Sequence, residues 1–193
     1  MKLKRTLALL LCLAVLFAFA ACGGNEEQPS QEPTPSASVE PSPSAETPTL
    51  PEIKAPQMEI TFKDFSFKVN DKVITNADLK DCQVYKVTLN NILSKDGLPA
   101  TNKETGEPLV VTYMGYKLAD VLTVAGVQGT TAYAVASDGY ESAEYDLSVN
   151  PDYLIVAIEK DKTQAGDGSV YFAPCFEQLN GKYVSAVTQI VVK

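Results

Sequence analysis

The chain has 193 residues, with 16 Lys or Arg against 24 Asp or Glu and a formal net charge of −8. It contains no histidine, and its single arginine is Arg5. The acidic balance disfavours nucleic acid as a partner, because binding it rests on Lys and Arg neutralising phosphates, and the lack of imidazole removes histidine-based catalysis and histidine metal ligation.

The amino terminus carries Lys2, Lys4 and Arg5, then an apolar run from Leu7 to Ala21, then Cys22 after two alanines. This is the layout of an export signal. The run is shorter than the roughly 18 to 20 residues that a membrane-spanning helix needs. Phe19-Ala20-Ala21-Cys22 resembles a bacterial lipobox, with Phe19 where leucine is usual and Gly23-Gly24 following. The resemblance implies that residues 1–21 are a lipoprotein signal peptide and that Cys22 receives the lipid. The protein would then be exported and anchored on the outer face of the bacterial cytoplasmic membrane. The alternative is an ordinary secretory signal with an incidental cysteine. Each buried acyl methylene contributes about 0.8 kcal/mol to anchoring.

Residues 22–57 form the next unit, a lipidated cysteine followed by a linker. Eight of the chain's twelve prolines fall here, amid Ser, Thr, Glu and Gln. Such a composition cannot build a core and predicts a disordered, proline-stiffened stalk, which would reach roughly 110 Å if fully extended as polyproline. After removal of residues 1–21 the chain has 13 Lys against 24 acids, a net charge of −11. An acidic protein is repelled by anionic headgroups, so its contact with the membrane must be made by the lipid.

Residues 58–193 are long enough for one domain with its own core. "EITFKDFSFKV" (59–69) alternates, with Ile60, Phe62, Phe65 and Phe67 turned inward, and "QVYKVTL" (83–89) is a second strand. Between them "TNADLKD" predicts one helical turn capped by Thr75 or Asn76. "EPLVVTYMG" (107–115) is a strand, and "YKLADVLTVAGV" is a helix with Leu118, Val121, Leu122 and Ala125 on one face and Gly126 as its stop. "TAYAVASDGYESAEYDLSV" predicts a hairpin turning at Asp138-Gly139. "DYLIVAIEKD", "SVYFAP" and "KYVSAVTQIVV" supply three more strands. The expected fold class is α+β, a single, mostly β domain after a disordered linker.

The succession "NADLKD", "YKVTLNN", "YMGYKLADVLTVAGV", "AVASDGYESAEYDLS", "LIVAIEKD" and "GKYVSAVTQIVV" resembles the oxidoreductase molybdopterin-binding domain of the sulfite oxidase family. The resemblance spans most of residues 60–193. Gly115, Leu118, Val121, Leu122, Ala125 and Gly126 match its helix segment, and Ser137-Asp138-Gly139-Tyr140 its hairpin turn. These are scaffold residues, which specify fold better than activity. The family's molybdenum ligand is a cysteine just after the strand that here reads "YKVTLNN"; Leu89, Asn90 and Asn91 occupy that region. An amide does not replace a thiolate on a soft, high-valent centre. The arginines and histidines that grip the family's pterin phosphate and oxyanion substrates are also missing from residues 22–193. No catalytic or metal-binding residue is therefore assigned, and no cofactor is expected, molybdopterin standing as the alternative.

Cys82 and Cys175 are compatible with a disulfide, which would close a long loop and add roughly 4 to 5 kcal/mol in the chain-entropy model, with two separate buried thiols, or with a redox or metal site. Glu141, Glu144 and Asp146 lie near one hairpin and read as a solvated face rather than acid–base catalysts. Asp161 and Asp167-Gly168 lack calcium-loop spacing and read as turns. Tyr113, Tyr116, Tyr140 and Tyr183 are packing residues or, alternatively, the lining of a groove. Three functions remain open: a non-catalytic binding or interaction module for a small ligand or an extracytoplasmic protein, a redox protein retaining a cofactor, and an accessory subunit of an envelope complex. A polar pocket at the carboxyl end of strand 83–89 would speak to all three.

Overall fold

A computed structural model describes residues 49–56 and 60–193. The signal peptide (1–21), the lipidation site Cys22, most of the linker and the expected boundary between residues 57 and 58 lie outside the described residues. The described part is mostly β, with one α-helix.

The strands in chain order are β1 (Ile53–Lys54), β2 (Ser66–Val69), β3 (Lys72–Thr75), β4 (Tyr85–Leu89), β5 (Val111–Lys117), β6 (Thr131–Ala136), β7 (Tyr145–Asp146), β8 (Leu154–Lys160), β9 (Thr163–Gln164), β10 (Val170–Pro174) and β11 (Val184–Val192). They form one sheet ordered β1-β4-β5-β8-β10-β11-β2-β3, with β6 also on β11, β7 on β6 and β9 on β8. Pairing is antiparallel except between β11 and β2. Within the stretch read as linker, Ile53 pairs with Val87 and Lys54 with Lys86, so a short strand precedes the expected start of the domain.

Burial follows strand alternation, and it fills both faces of the sheet. On β8, Leu154, Val156 and Ile158 enter one apolar cluster while Ile155 and Ala157 enter the other. This explains why "LIVAI" is continuously apolar where a half-exposed strand would alternate. The first cluster holds Phe62, Phe65 and Phe67, as expected, together with the helix α1 (Leu118–Ala125). Leu118, Val121, Leu122 and Ala125 are its buried face. Gly126 ends it in the left-handed region (φ 68°), where its lack of a Cβ relieves the clash other residues meet. The second cluster gathers Val87, Leu89, Ile92, Tyr113, Ile155, Ala157 and Cys175.

Two local expectations change. "TNADLKD" forms successive turns instead of a helical turn: the Thr75 amide and hydroxyl donate to Asp78 Oδ2 at 2.9 and 2.7 Å, and the Asp78 and Cys82 amides donate three residues back. A local side-chain acceptor competes with helix propagation in so short a segment. The Asp138-Gly139 turn is present, with Gly139 at φ 84° and its amide donating to Ala136. Its outgoing arm, however, pairs regularly only at Tyr145–Asp146.

Candidate functional site

A cleft of about 650 Å³ opens at the carboxyl end of β4. Its floor carries Leu89, Ile92, Cys175 and Tyr183, and its rim includes Asn90, Asn91, Asn150 and Gln178. The third wall is the segment Thr49–Glu52 with Lys54, laid beside β4 by the β1 pairing. The volume falls within the range of roughly 300 to 1,000 Å³ typical of small-molecule sites.

Backbone bonds between distant segments fix the cleft. The Leu93 amide donates to Gln178 O at 2.7 Å and the Asn180 amide to Leu93 O at 2.9 Å, locking the turn after β4 to the turn after β10. The Cys175 amide donates to Tyr153 O at 2.7 Å. Tyr183 is held at both ends, its hydroxyl donating to Glu177 O and its ring stacked on Tyr113 with centroids 5.5 Å apart. Burial pushes the Tyr183 phenol well above its usual range, so it stays neutral and remains a donor.

The charges around the mouth balance. Lys54 is paired with Glu52 at 2.8 Å, while Lys86 and Glu177 make no ion pair with any described residue. The side-chain amides of Asn90, Asn91, Asn150 and Gln178 have no hydrogen-bond partner among the described residues. Four unengaged carboxamides around one cleft offer donors and acceptors together. No family model matches this chain. No curated protein matches it either.

Asn90 and Asn91 stand at this cleft, and Cys175 joins them from the turn after β10, far along the chain. For Cys82 and Cys175 the sequence leaves a disulfide, two separate thiols and a redox or metal site open. The structure keeps both as free thiols, one of those arrangements. The physical reason is placement: Cys175 belongs to the second cluster, whereas Cys82 packs against the first. Cys175 Sγ donates to Ala173 O at 3.4 Å, and burial raises its thiol far above the usual range. It is a protonated, unreactive group at the floor of the cleft. Cys82 is half-buried, and burial followed by the charges of Asp120 and Asp81 raises it too. Intact-mass analysis without reductant should show no loss of two hydrogens. Cys82 should be alkylated first, and Cys175 only on unfolding; rapid modification of Cys175 in the native state would contradict its burial.

The remaining candidates do not converge. Glu144 is held below the usual carboxylate range by Lys193, 2.8 Å away, and by the Thr131 hydroxyl at 2.5 Å. Asp146 is lowered by the hydroxyl and amide of Ser148, and Glu141 is exposed. Asp161 accepts from the Thr112 amide at 2.7 Å, and Asp167 sits at φ 55° in a turn. Tyr113 and Tyr116 are buried in opposite clusters, Tyr140 is exposed, and of the four only Tyr183 lines the cleft. Among the described residues no group of three or more Cys, Asp or Glu is placed to hold a metal.

Proposed function

We propose that the protein is an exported, lipid-anchored lipoprotein whose domain, on the scaffold of the sulfite oxidase family's molybdopterin-binding domain, is a non-catalytic binding module working through the β4 cleft. The observation that carries this reading is the character of the cleft. Uncharged amides surround a mouth where the family's chemistry would require a thiolate and guanidinium groups.

The residues present do not fit the molybdenum cofactor. Leu89, Asn90 and Asn91 offer no thiolate at the end of β4, and the Cys175 thiol is a buried hydrogen-bond donor whose ionisation is strongly disfavoured. Lys54 is already engaged by Glu52, which leaves Lys86 to face a doubly charged phosphate. Burying such an anion without paired donors would cost several kcal/mol. No catalytic step is accordingly assigned to the cleft. The cofactor-bearing redox reading keeps one observation in its favour, the place of Cys175 beside Asn90 and Asn91, and it would require that thiol to be ionised.

Anchoring is tested at Cys22. Cys22→Ala should abolish lipid labelling and move the protein from the membrane fraction to the soluble one. A wild type that takes no lipid label, with a variant that stays in membranes, would refute the lipobox reading. Purified protein should turn over neither sulfite nor a sulfoxide; steady turnover would put the redox reading first.

A further inference from the structure

The cleft's polar groups also define what it would take, and this inference rests on the binding-module reading. We infer that the ligand is a neutral, hydroxyl-rich molecule, a mono- or disaccharide in chemical class.

Each carboxamide of Asn90, Asn91, Asn150 and Gln178 presents an N–H₂ donor and a carbonyl acceptor, and none is engaged by another described residue. A sugar hydroxyl is likewise donor and acceptor at once, so neighbouring hydroxyls and a single amide complete each other. An anion needs converging donors of one sign, above all the bidentate guanidinium, and Lys86 is the one cation at the cleft without an ion pair among the described residues. A cation needs several free carboxylates, and only Glu177 meets that description. The lining charges of Lys54, Lys86, Glu52 and Glu177 cancel, leaving the mouth with no net sign to select a charged ligand.

The apolar part of the cleft fits the same class. Tyr183 and Phe176 line it and are fixed, Tyr183 by Tyr113 and Glu177 and Phe176 by its edge-on contact with Tyr145 at 5.9 Å. Rings held in place offer surface to the C–H face of a sugar at little cost in side-chain freedom. A space of about 650 Å³ has room for such a ligand.

The test is saturation-transfer NMR and calorimetry on the full-length protein with cellobiose, chitobiose, inorganic phosphate and glutamine as probes. At least one of the two neutral disaccharides should bind, with an affinity unchanged between low and high salt, as expected where charge does not drive association. Asn90 and Asn91 are exposed and make no side-chain hydrogen bond to a described residue, so the double replacement Asn90→Leu/Asn91→Leu should keep the melting temperature. It should weaken disaccharide binding by roughly tenfold or more, the loss expected when hydrogen-bonding partners are left unpaired. If phosphate or glutamine binds instead, in a way that the double variant abolishes, the saccharide class is overturned while the binding-module reading stands. Disaccharide binding that survives the double variant, or silence from both disaccharides, also overturns the inference. Cofactor in the purified protein would defeat the underlying reading separately.

Discussion

Gly115→Ala is expected to be the most damaging single methyl group that can be added to this domain. A Cβ at residue 115 would stand 2.2 Å from Val156 O and 2.5 Å from the Ala157 Cα. Both are backbone atoms of β8, a strand hydrogen-bonded on both sides, so no side-chain rotation relieves the clash. The register between β5 and β8 also shifts between Met114 and Gly115, which places the close approach at a bulge. The loss should be about 3 kcal/mol or more, at or above the upper end of ordinary overpacking costs. Urea denaturation of Gly115→Ala beside Gly181→Ala provides the check, since nothing lies within 4 Å of a Cβ at residue 181. Equal stability of the two variants would contradict the β5–β8 packing.

Phe172→Ala should come next. Phe172 is fully buried, pairs with Val156 on β8 and Val184 on β11, and packs its ring 5.7 Å from that of Tyr145. Its removal deletes apolar contacts and leaves a cavity between central strands that cannot close, at a cost of about 3 to 5 kcal/mol. That is a large part of the roughly 5 to 15 kcal/mol by which a domain is stable. Denaturant midpoints measure it, and Phe172→Leu should recover most of the loss. A midpoint for Phe172→Ala within experimental error of wild type would show that the first cluster is not the domain's core.

What was legible in the sequence was local. The helix at 118–125 has an apolar face with a glycine stop, both written in consecutive residues, and both appear where the spacing puts them. Phe62, Phe65 and Phe67 are buried despite the irregularity between them. The turn at Asp138-Gly139 follows from the freedom of glycine at positive φ. β1 was not legible, because Ile53-Lys54 is too short to show alternation and lies among prolines; its pairing with Val87 and Lys86 is decided by the edge of β4. The cleft was legible by half. The end of β4 was singled out only through the family resemblance, at Asn90 and Asn91, whereas Asn150, Cys175, Gln178 and Tyr183 reach it by long-range strand pairing that no periodicity records. For the same reason the separation of Cys82 from Cys175 could not be read from their spacing: which face of the sheet each thiol meets depends on the whole strand order.

We propose that the cleft at the end of β4 serves binding without molybdenum chemistry. Elemental analysis for molybdenum, on full-length protein purified from a host that makes the cofactor, tests it most directly. With Leu89, Asn90 and Asn91 at the end of β4 and Cys175 buried and protonated below them, molybdenum should stay far below stoichiometric. Stoichiometric molybdenum that survives gel filtration and is lost in Cys175→Ser would contradict the claim, and would make the buried thiol a ligand.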